Sequence, residues 1–150
     1  MANDFSGDSY CKALYRFESG ALNTDGSGSG NTMDTLIAAS EDTSNFKEGS
    51  CSADFDAGNN EAYKRDDADL SSGFPLSSAD SNKIITLCTW IRISSLASAR
   101  YIWSKYDYGG SYRTMSVGVQ TSGKVRVYFG YNSGASSEYA EHATALSTGT

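Results

Sequence analysis

The sequence predicts an all-β chain folded as an antiparallel β-sandwich, and three observations predict it. Ten Tyr stand against three Met, with abundant Ser and Gly, a composition that suits half-buried strands and tight turns. Apolar residues alternate with polar ones at period two in several stretches. No segment sustains a 3.6-residue period between helix caps, apart from a weak hint near residues 33–40. A length of 150 residues fits one domain, 1–150, large enough for a core.

Element by element, "CKALYRFE" places Cys11, Ala13, Tyr15 and Phe17 on one face and reads as a half-buried strand. The Gly/Ser-dense run after it makes residues 26–31 a loop. "GSCSADFDAG" and "NNEAYKR" flank a turn at Gly58-Asn59 and read as a hairpin. A long polar loop with the sole proline, Pro75, leads to "IITLCTWIRI", apolar on both alternating faces and therefore expected to be a central, doubly covered strand. "ARYIWSKYD" is a further strand. "YRTMSVGVQ" and "KVRVYFGYN" are joined by Thr121-Ser122-Gly123 as a hairpin, and "SEYAEHATAL" is the last strand. Eight or nine short strands of this kind default to a sandwich.

Charge and composition exclude several classes. The net charge is −6, and it is polarised: residues 1–83 carry 15 of the 18 acidic and six of the 12 basic side chains, a balance of −9, against +3 for residues 84–150. Either a solvated acidic rim or a divalent-cation site in the acidic half accounts for this. No basic run exists to displace phosphate counterions, so duplex nucleic acid is not an expected partner. No stretch is long and apolar enough to insert in a membrane, and the first residues have no signal-peptide pattern. Cys11, Cys51 and Cys88 fit no zinc spacing and are expected to be buried thiols.

Chemistry has few candidates. His142 is the single histidine, and no nucleophile motif accompanies it. Asp54 and Asp56 lie two apart on an expected strand and point the same way, whereas Glu138 and Glu141, three apart, face opposite sides. Calcium needs six to eight oxygens. "DGSGSGN" offers Asp25 and Asn31, and "DAGNNE" offers Asp56, Asn59 and Glu61 (with Asn60) in a second turn. Ordinary Asx turns explain the same residues. Tyr106, Asp107, Tyr108, Tyr112 and Tyr131 cluster at strand ends and around Gly109-Gly110, where aromatic rings stack on sugars or protein surfaces.

Four pieces in order resemble the laminin-G-like jelly rolls of the concanavalin A-like lectin/glucanase group. They are "ALYRFESGALNTDGSGSGNTMDTL", "EGSCSADFDAGNNEAY", "ITLCTWIRI" with "RYIWSKYD", and "TMSVGVQTSGKVRVYFGY", together spanning about residues 10–150. The resemblance implies a jelly roll whose last strands follow "LSTGT", so the domain is expected to be C-terminally incomplete, its sheets completed by a partner chain, a further copy or additional chain. In pentraxin-like relatives the cysteine matching Cys88 pairs with one on the strand that follows "LSTGT"; the plainer reading, a free buried Cys88, is the first choice. The glucanases of the group carry a denser acidic triplet than "SADFDAGNNE", so catalysis is not expected, and a glycoside hydrolase or lyase is the third choice. The implied function is a non-enzymatic module binding a glycan or protein partner through its loops, with calcium as a possible ion. The alternative is a structural part of an assembly, such as a phage virion decoration or fibre protein. An extracellular or virion-associated location suits both.

Overall fold

A computed structural model describes residues 4–75, 81, 84–106, 113–131 and 136–149, with only the backbone described at residues 35, 36, 106, 113, 114, 131, 136 and 137. The described chain is all-β and antiparallel: its one helical element is a single 3-10 turn, Asp67–Asp69. It divides into two compact units, Met1–Cys88 and Thr89–Thr150.

The first unit holds two two-stranded ribbons. Strand β1 (Asp34–Ile37) pairs with β4 (Ala62–Lys64), and β2 (Ser40–Asp42) pairs with β3 (Ser52–Asp54). The expected hairpin around Gly58-Asn59 is thus corrected: its two arms turn away from each other, each to an earlier strand. The weak helical hint at residues 33–40 is also overturned, since that segment forms β1 and leads into β2. Residues 11–18 form no continuous strand and make only isolated bridges, Tyr15 to Asp25 and Glu18 to Ala21. Phe17 has φ of 54°, a left-handed conformation that breaks the alternation on which the strand expectation rested. A string of rings supplies much of the packing here: Tyr15–Phe17 at 6.4 Å between centroids, Phe17–Phe55 at 6.3 Å and Phe55–Tyr63 at 5.7 Å, the last two edge-to-face.

The second unit is a four-stranded meander in the order β5 (Arg100–Tyr106), β6 (Arg113–Val119), β7 (Lys124–Tyr131), β8 (Ser136–Ala145). These strands match the sequence expectation. The β6–β7 turn closes through Gln120 N–H donating to Lys124 O and Gly123 N–H donating to Gln120 O. Gly123 takes φ of 79°, and a Cβ there would meet Leu146 O at 2.7 Å, so glycine is required at this turn. Register assigns the two faces of the sheet. Val117, Val119, Val125 and Val127 share one face, and Val117 and Val119 are buried. Ser116, Gly118, Arg126, Tyr128, Tyr139 and Glu141 share the other.

The largest departure is "IITLCTWIRI". Residues 84–93 belong to no strand among the described residues, and Ile84, Leu87 and Trp90 are 75%, 42% and 72% exposed. A strand exists only through a neighbour that accepts and donates its ladder hydrogen bonds, and none of the described strands pairs with this segment, although Ile93 O accepts from Gly149 N–H at 2.8 Å. The segment has the composition of a central strand without the surroundings of one. The cysteines divide likewise: Cys51 is buried, its thiol 3.1 Å from Phe17 O, but Cys11 is half-buried and Cys88 exposed, and all three are free. The expectation of three buried thiols therefore holds for Cys51 alone.

Candidate functional site

The two loops singled out for cation binding are built differently. In the first, Asp25 Oδ1 accepts from the backbone N–H of Leu14 and Ser27, and Oδ2 accepts from Ser27 Oγ–H and the N–H of Asn31, all within 2.8–2.9 Å. Burial alone would raise the Asp25 pKa, but the N–H groups of Ser27 and Leu14 outweigh it and hold the carboxyl below its ordinary 3.8. Asn31 is fully buried. Its side-chain amide donates to Lys12 O at 2.7 Å and to Ser71 Oγ at 2.9 Å, and its Oδ1 accepts from Ser71 N–H at 2.8 Å. Tyr15 Oη–H donates to Asn31 O at 2.5 Å, and burial, aided by the Asp25 charge, pushes the phenol up to about 12. Asp25 and Asn31 thus come together as the knot of their loop. A cation at Asp25 would compete with four hydrogen bonds already made.

In the second loop Asp56, Asn59 and Glu61 also come together, on the surface. Glu61 Oε2 accepts from Asp56 N–H at 2.7 Å, Asp56 Oδ1 accepts from Gly58 N–H at 2.7 Å, and the Asn59 amide spans Asp56 Oδ2 and Glu61 Oε1 at 3.3 Å each. Asn60 turns the chain with φ of 55°. Among the described residues no three His, Cys, Asp or Glu side chains form a group able to hold a metal.

Of the expected aromatic cluster, Asp107, Tyr108 and Tyr112 lie outside the described residues. Tyr106 ends β5 and Tyr131 ends β7, where it pairs with Ser136. The described aromatic site lies instead on the sheet, on the face opposite the valines. There Arg126 Nε and Nη2 both donate to Glu141 Oε2, at 2.8 and 2.6 Å, and Nη1 donates to Tyr128 Oη at 2.8 Å. The Arg126 guanidinium carbon sits 4.3 Å from the Tyr139 ring centroid and 5.5 Å from that of Tyr128, within cation–π range. The two tyrosine rings are 5.7 Å apart and tilted by 52°. Lys124 adds a second cation, 3.4 Å from Glu141 Oε1.

Cross-strand register explains the cluster. Arg126 lies opposite Glu141 and Tyr128 opposite Tyr139, so two neighbouring pairs on one face join into a single network. The hydrogen bonds that Arg126 donates to Tyr128 and Glu141 raise its pKa, and the same hydrogen bonds and the Arg126 charge hold Glu141 below its ordinary 4.5. On β6 the same face carries Ser116, opposite Tyr128, and Gly118, opposite Arg126. Gly118 faces Tyr101 across the β5–β6 pair: a Cβ on Gly118 would meet the Tyr101 ring at 3.4 Å and Arg100 O at 2.6 Å. Tyr101 and Tyr139 are 68% and 59% exposed. From sequence, Glu141 stood out only for its spacing from Glu138, and Arg126 and Tyr128 did not stand out. Their signal was present as K-x-R-x-Y on one strand and Y-x-E on the next, legible only with the register of the pair.

Glu138 pairs with Phe129 and Glu141 with Arg126, so these two acids face opposite sides, as their spacing implied. His142 is exposed, its Nδ1 accepting from Thr144 N–H at 3.2 Å. No described helix is long and apolar enough to cross a membrane. No protein-family model, curated protein or solved structure matches the chain.

Proposed function

We propose that the chain is a non-enzymatic recognition module, built as a laminin-G-like sandwich or jelly roll, that binds a glycan or protein partner. The observation that carries this reading lies on the face of the four-stranded sheet opposite the valines, where the Tyr139 ring lies against Arg126, itself ion-paired to Glu141, yet Tyr139 stays largely exposed. An ordered, exposed tyrosine beside hydrogen-bonding groups presents contact area at small conformational cost. Tyr106, Asp107, Tyr108, Tyr112 and Tyr131 stand as further candidate contact residues of this reading. Calcium enters it as a structural or ligand-bridging ion. The test is a glycan and protein-surface array probed with the purified chain, with and without calcium. Specific, saturable binding is the expected result; a blank array in both conditions removes the reading.

A second reading is a structural component of an assembly, at a cell exterior or on a virion. It is favoured by the exposed apolar residues Ile84 and Leu87. Contiguous exposed apolar side chains mark interaction surfaces. Light scattering after size exclusion is expected to give a defined oligomer that Leu87→Lys disperses. A monomer at all concentrations speaks against assembly.

A further inference from the structure

We draw no further inference here: the strongest candidate, the apolar surface segment 84–93 with Ile84, Leu87 and Trp90 exposed, already underlies the assembly reading, and nothing in the structure shows what covers it.

Discussion

At the residue scale, Asn31 is a fully buried polar residue whose side-chain oxygen and nitrogen are both hydrogen-bonded. Its amide and main chain tie Lys12, Tyr15, Asp25 and Ser71 together across 40 residues of separation, with no exposed surface of its own. Removing the amide leaves Ser71 N–H and the Lys12 carbonyl without a buried partner. Asn31→Ala is therefore expected to cost about 1–3 kcal/mol, read from chemical denaturation. The loss should be the same in calcium and in chelator, because the hydrogen bonds described use no ion. A calcium-dependent loss would show that a cation shares the loop. The Asx-turn and cation readings of "DGSGSGN" were indistinguishable in the sequence, since both call for Asp and Asn around glycines. Only the partners of Asp25 separate them.

At the scale of elements, β6 and the β7–β8 pair carry the testable features. Gly118 lies where β5 and β6 approach most closely, with Arg100 O only 2.6 Å from the position of a Cβ. Gly118→Ala forces that backbone apart and is expected to cost about 1–3 kcal/mol as overpacking, measured by thermal or urea unfolding. On β8, the Glu141 carboxyl is held below 4.5 by the Arg126 hydrogen bonds and charge. A carboxyl with a depressed folded-state pKa stabilises the fold above its unfolded pKa and loses that contribution as pH falls through the folded value. Wild-type stability should therefore fall between neutral pH and the range below 4.5, and Glu141→Gln should flatten that part of the profile. Parallel pH profiles for the two proteins would show that Glu141 is not the group responsible.

For the molecule as a whole, order is uneven. Residues 116–119 are buried within a ladder paired on both sides, whereas residues 84–93 belong to no described strand and expose Ile84 and Leu87. Opening free energies follow such differences. Hydrogen exchange is expected to be slow at Val117 and Val119 and fast through residues 84–89. Slow exchange at 84–89 in a chain shown to be monomeric would mean that this stretch is already paired. If protection appears only as concentration rises, the assembly reading gains its partner strand.

By itself the sequence determined the all-β character of the chain and the strands β5 to β8. The strands β5 to β8 are joined in order, so a period-two pattern between turn residues specifies both the strands and their neighbours. It also determined that Glu138 and Glu141 face apart. Tertiary structure decided the rest. Strand β1 pairs with β4, which is not its immediate successor, and no local turn signal encodes that pairing. "IITLCTWIRI" carries the pattern of a covered strand, but cover is supplied by other elements and cannot be written into the strand that needs it. The Arg126–Tyr128–Tyr139–Glu141 network exists because one register brings two pairs together on one face. Spacing along each strand names its members, and pairing between strands makes them a site.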